Sequence, residues 1–157
     1  MRRVEAARRF AERVHEGALD RYGEPLLDHV RRVAAAVPPE ARVVAWLHET
    51  LELAPVTPEQ LTGCGASGEE IAAVQLLTRA PDVSARAYLA HVARIAAAPG
   101  RAGGLARIVK VADLRDRLEN RPAAPPAEAA WPPHDAALSM LAPTRIAEPA
   151  PLSGTAL

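Results

Sequence analysis

Five polar side chains stand where helical periodicity otherwise calls for apolar ones: His29, His48, Glu49, Glu52 and Asp113. His29 follows Leu26-Leu27-Asp28. His48 and Glu49 interrupt an apolar run of Val43, Val44, Trp46, Leu47 and Leu51, and Asp113 lies in the stretch IVKVADL. A buried ion is costly unless it is paired or binds a metal. Two imidazoles and two carboxylates drawn from three helices form a mixed nitrogen and oxygen donor set, suited to borderline or hard divalent ions. Helical bundles build such sites from inward-facing side chains. On one helix His48 and Glu52 share a face, while Glu49 points about 100° away. His48 and Glu49 can then grip one ion with Glu52 working beside it.

Each residue also has an ordinary structural reading. Taken alone, His29 reads as a hydrogen-bonded core histidine. Glu49 can pair with Arg42, and Asp113 with Arg117 one turn later as a surface bridge. His15 reads as a polar helix end, and His91 and His134 are expected in solvent. Among the 19 basic residues only Lys110 is a lysine, which singles out one ammonium group.

The elements that must position these residues are helical. Val4, Ala7, Phe10 and Val14 make an apolar stripe over 4–16, which Gly17 and the polar DRYGEP end. Pro25 opens a second helix through Val37, and Pro38-Pro39 starts a third from Glu40 to about Leu53, the expected central, buried helix. Thr57-Pro58-Glu59-Gln60 caps a short helix that Gly63 and Gly65 end, and Ser67-Gly68-Glu69-Glu70 caps another through Leu77. Ser84 begins a helix carrying Tyr88, Val92 and Ile95, and a last long helix is predicted from about Gly104 to Asn120. From Arg121 the composition changes: eight of the 15 prolines fall in the last 37 residues. Residues 136–142 suit one short helix, and the remainder of 122–157 reads as an extended or partly disordered tail. The expectation is an all-α domain over residues 1–121 followed by this tail.

Composition narrows the function. The 157 residues carry 19 basic and 19 acidic side chains, so broad electrostatic binding to nucleic acid or to an anionic membrane surface is not expected. Aromatics make up 3%, which requires an aliphatic, alanine-rich core. A lone Cys64 rules out a disulfide framework and any multi-cysteine zinc site. No apolar run approaches a membrane span and the N-terminus lacks a signal-peptide pattern, so a cytoplasmic protein is expected.

The strings VHEGALDRYGEPLLDHVRRVA, AWLHETLE and IVKVADLRDRL together resemble the HD-domain metal-dependent phosphohydrolases. The likeness is nearest to the RelA/SpoT-type alarmone hydrolases and their small stand-alone relatives, and runs in the same order over about residues 5–120. It implies an HD-domain-like helical bundle. It also implies that His29, His48, Glu49 and Asp113 hold a divalent metal, commonly manganese. Glu52 would position or activate the attacking water, Arg21 would touch the substrate and Lys110 would anchor a phosphate. The implied substrate is a small phosphorylated nucleotide such as a guanosine 3′-diphosphate alarmone. Three positions depart from the family pattern: Glu49 replaces the signature aspartate, Leu53 an acidic residue and Arg117 an asparagine. They leave open a second reading, a degenerate module of the same fold that binds a nucleotide or a protein partner without turnover.

Overall fold

The computed structural model describes residues 2–81, 84–122 and 132–141. These are all-α: helices α1 (Arg2–Val14), α2 (Leu26–Ala36), α3 (Arg42–Leu47), α4 (Thr50–Leu53), α5 (Pro58–Gly63), α6 (Gly68–Leu77), α7 (Ala85–Ala97), α8 (Gly100–Glu119) and α9 (His134–Leu141). A 3₁₀ turn, Pro39–Ala41, precedes α3. Among the described residues no helix is long and apolar enough to cross a membrane.

The core is aliphatic, as the scarcity of aromatics demands. Ala7, Ala11, Val30, Val33, Val44, Ala45, Leu47, Leu61, Val74, Ile95 and Val109 are all fully enclosed. α3 lies inside the bundle against α1, α2, α6 and α8, and every residue from Val43 to Thr50 is buried. The 20-residue α8 runs alongside and also touches α2, α6, α7 and α9. Both helix starts predicted from capping sequences are present, with Thr57 and Ser67 in reciprocal capping boxes.

Two boundaries differ from the periodicity reading. The helix predicted from Glu40 to Leu53 breaks at His48-Glu49, where the Ala45 carbonyl accepts from the His48 ring and the Leu47 carbonyl accepts from the Thr50 hydroxyl. Polar side chains thus take up carbonyls near the break in the backbone ladder. α8 starts four residues before the predicted Gly104. Gly100 turns the chain with φ +69°, and Gly103 packs so closely under α7 that a Cβ would lie 2.0 Å from the Ala98 carbonyl oxygen.

α9 contributes to the interior rather than lying apart from it. It packs on α7 and α8, and Ala137 joins Tyr88, Val92 and Leu114 in a second small core. Of the proline-rich segment, residues 123–131 and 142–157 lie outside the described residues, so the expectation of an extended tail there is not addressed.

Candidate metal centre

Three parts of the chain deliver four donor atoms to one point. α2 supplies His29, the break between α3 and α4 supplies His48 and Glu49, and α8 supplies Asp113, all of them buried. His29 Nε2 lies 3.3 Å from His48 Nε2, 3.5 Å from Glu49 Oε1 and 3.2 Å from Asp113 Oδ1. His48 Nε2 is 3.5 Å from Glu49 Oε1. Ligand atoms about 2.1 Å from an ion lie about 3.0 Å apart in an octahedron and about 3.4 Å apart in a tetrahedron. These four spacings match those within a coordination shell, and all four donor atoms lie within 4.8 Å of one another. Across the divergence of about 100° between adjacent helical positions, the reach of the glutamate side chain brings Glu49 Oε1 to the His48 ring.

The outer partners fix which ring nitrogens face inward. His48 Nδ1 donates to the Ala45 carbonyl at 2.6 Å, and His29 Nδ1 donates to Asp116 Oδ2 at 2.7 Å. Each imidazole thereby presents Nε2 to the cluster, the arrangement seen in metal-binding histidines. Asp116 is held in turn by Arg32, at 2.6 and 3.1 Å, and by Asn120.

A cluster of acceptors this dense could hold a cation. Burial pulls the His29 pKa down, but the carboxylates of Asp113, Asp116 and Glu49 around its ring outweigh it and push the pKa up to about 10. Burial opposes the charge on Glu49, which its bonds to His29 and His48 and the nearby Arg117 hold well below the usual carboxylate range. Asp113 is likewise held low against its burial, by Lys110 first and then by His29 and Arg117. A proton on His29 thus stands where a metal ion would. Asp113 Oδ1 lies in the cluster, buried and accepting no hydrogen bond, so the donor set could hold a divalent ion.

Beside the cluster lies a cleft of about 320 Å³, lined among others by Arg21, His48, Glu49, Glu52, Lys110 and Asp113. The structure therefore brings every predicted site residue except the deeper His29 to one cavity wall. Glu52 Oε1 accepts from the Arg79 backbone N–H at 2.7 Å, with the Arg79 side chain 3.4 Å away. Lys110 Nζ donates to Asp113 Oδ2 at 2.8 Å and sits 5.3 Å from the centre of the Tyr88 ring. Arg21 belongs to the α1–α2 loop, which Asp20 Oδ1 holds by accepting from the N–H groups of Tyr22 and Glu24.

Several residues here were not read from the sequence as parts of a site. Arg79 and Tyr88 line the cleft, and Asp116 orients His29. The one available signal for Asp116 was its position three residues after Asp113, on the same face of a helix. Four ordinary readings are corrected. Glu49 pairs with Arg117 rather than Arg42, since α8 packs against α3 on the side that Glu49 faces. His15, His91 and His134 are all buried, at 1%, 4% and 5% exposure, because neighbouring helices cover positions that look polar in isolation. His134 also lines the cleft.

No protein-family model matches this chain, and no curated protein matches it.

Proposed function

We propose that this chain is a metal-dependent phosphohydrolase acting on a small phosphorylated nucleotide. The observation that carries the reading is the convergence of two Nε2 atoms and two carboxylate oxygens at coordination spacing, beside a cleft lined with cations. Manganese is the metal that the resemblance to HD-domain hydrolases favours.

Held by His29, His48, Glu49 and Asp113, a divalent ion would supply Lewis acidity toward a phosphoryl oxygen and toward water. The rest follows from the side chains. Glu52, which lines the cleft and accepts from the Arg79 N–H, would take the proton of an attacking water. Arg21 offers a planar fork to phosphate oxygens, and Lys110 a point charge pinned by Asp113. Leu26, Leu53 and Leu77 contribute apolar surface to the same wall.

Charge balance supports an anionic substrate. Asp20, Glu49, Asp113 and Asp116 face Arg32, Lys110, Arg117 and the His29 proton, and these charges cancel. With a divalent ion in place of that proton the cluster carries one surplus positive charge. Arg21 and Arg79, set against Glu52, add another at the mouth. A phosphate group is the complement.

The test is elemental analysis of chelator-stripped protein reloaded with manganese, followed by assay against nucleotide phosphoesters and pyrophosphates, including guanosine 3′-diphosphates. About one equivalent of metal, lost in His48→Ala, together with metal-dependent release of phosphate or pyrophosphate, is the expected result. Bound metal with no turnover across that panel would refute the enzyme and favour the second reading, a module that binds without hydrolysing. One observation speaks for that second reading: Arg117 already occupies Glu49 Oε1 at 2.9 Å.

A further inference from the structure

Arg117 lies on α8 one turn beyond Asp113, with its side chain only 19% exposed. Its three nitrogens face three carboxylates. Nη2 donates to Glu49 Oε1 at 2.9 Å, Nε is 3.5 Å from Asp113 Oδ1, and Nη1 is 3.8 Å from Asp20 Oδ2. Glu49 Oε1 and Asp113 Oδ1 are the same two oxygens that close the donor cluster around His29 Nε2. We propose that Arg117 is an intramolecular competitor of the metal for Glu49 and Asp113, and that it sets the metal affinity of this chain. The inference rests on the metal centre described above and adds a residue that tunes it.

The physical ground is a shared anion. An oxygen 2.9 Å from the guanidinium nitrogen and about 2.1 Å from an ion puts the two cations no more than about 5 Å apart. At that distance, between a buried carboxylate pair and a largely buried guanidinium, their repulsion is screened less than in bulk water. The oxygen also divides its charge between two partners. Asp20 offers the guanidinium an alternative. Its Oδ1 is committed to the N–H groups of Tyr22 and Glu24, while Oδ2 faces Arg117. When an ion takes Glu49 and Asp113, Arg117 shifts toward Asp20, on the loop that presents Arg21 to the cleft. Lys110 does not play this part, since it bonds to Oδ2 of Asp113, the oxygen turned away from His29.

The experiment titrates the chelator-stripped full chain with Mn²⁺ by calorimetry, for wild type, Arg117→Gln and Arg117→Lys. Arg117→Gln removes the charge and is expected to bind Mn²⁺ at least tenfold more tightly. Arg117→Lys keeps the charge and is expected within about threefold of wild type. Should the glutamine variant not fold, the wild type itself carries the test. The arginine ¹⁵Nε–H resonance assigned to Arg117 is expected to shift on titration with diamagnetic Mg²⁺, and an unmoved resonance at saturation overturns the proposal. Equal or weaker Mn²⁺ binding by folded Arg117→Gln overturns the competitor and leaves the metal centre standing. Binding by Arg117→Gln alone supports the competitor and removes metal-dependent turnover from the wild-type chain. Binding by neither overturns both.

Discussion

Shortening Glu49 to aspartate separates the family pattern from the structure. The resemblance to HD-domain hydrolases implies that aspartate is the better ligand, so that Glu49→Asp would improve the site. The geometry argues the reverse. Glu49 Oε1 lies 3.5 Å from both His29 Nε2 and His48 Nε2, already at the outer edge of coordination spacing. Removing a methylene withdraws the carboxylate by about 1.5 Å, whereas ligation tolerates about 0.2 Å. The backbone has little freedom to follow, because Thr50 and Leu47 are fully enclosed and His48 is tied to Ala45. Loss of an outer-shell partner alone lowers metal affinity about 10- to 100-fold, equal to about 1.4 to 2.8 kcal/mol. Losing a direct ligand costs at least that much. The assay is Mn²⁺ calorimetry on stripped protein, with a metal-free thermal melt to confirm folding and His48→Ala as the variant without a site. Equal or tighter binding by a folded Glu49→Asp protein would refute the claim that the pocket is built around glutamate.

Other expectations follow from the same contacts. Glu52→Gln is expected to abolish turnover while leaving metal content unchanged, since Glu52 faces the cleft without belonging to the donor set; loss of metal in that variant would refute its role as base. Burial, foremost, presses the pKa values of His91 and His134 down to about 4. Because the unfolded chain takes up these protons near pH 6.5, their contribution is fully present above pH 6.5 and is lost as pH falls toward 4. His29, raised to about 10 in the metal-free protein, has the opposite sign: its contribution is present below pH 6.5 and is lost as pH rises through 10. Urea midpoints across pH 4–10 should therefore peak near neutrality, and a midpoint that rises steadily toward pH 4 would contradict the assignment. Truncation after residue 122 removes α9 and uncovers Tyr88 and Leu114, at a cost on the order of 3 kcal/mol. A urea melt showing a loss below about 1 kcal/mol would mean that α9 does not hold that cluster together.

Much of this protein was legible as a one-dimensional pattern. Helix starts at Thr57 and Ser67 follow from local capping chemistry, which depends on residues three apart and needs no tertiary partner. The all-α class follows from apolar spacing, and the aliphatic core from the lack of aromatics. His29, His48, Glu49 and Asp113 could be singled out because a charge or imidazole in an apolar helical stripe is costly without a partner.

What the pattern could not supply is the direction in which each side chain finds its partner. Periodicity separates adjacent His48 and Glu49 by about 100° and does not say where a long glutamate side chain ends; in the structure Glu49 Oε1 comes within 3.5 Å of both His48 Nε2 and His29 Nε2. Arg117 reads in sequence as a surface partner for Asp113, yet packing of α8 against α3 turns it into the donor cluster. Burial of His15, His91 and His134 depends on which helices lie across them, and α9 returns over α7 and α8 from beyond a proline-rich stretch that carries no periodic signal. Local pattern was enough to find the helical segments and the polar groups out of place in them, though not the break at His48-Glu49 or the start of α8. Tertiary packing alone decided which of those groups meet, because donor distances of 3.2 to 3.5 Å are set by contacts between helices far apart in the chain.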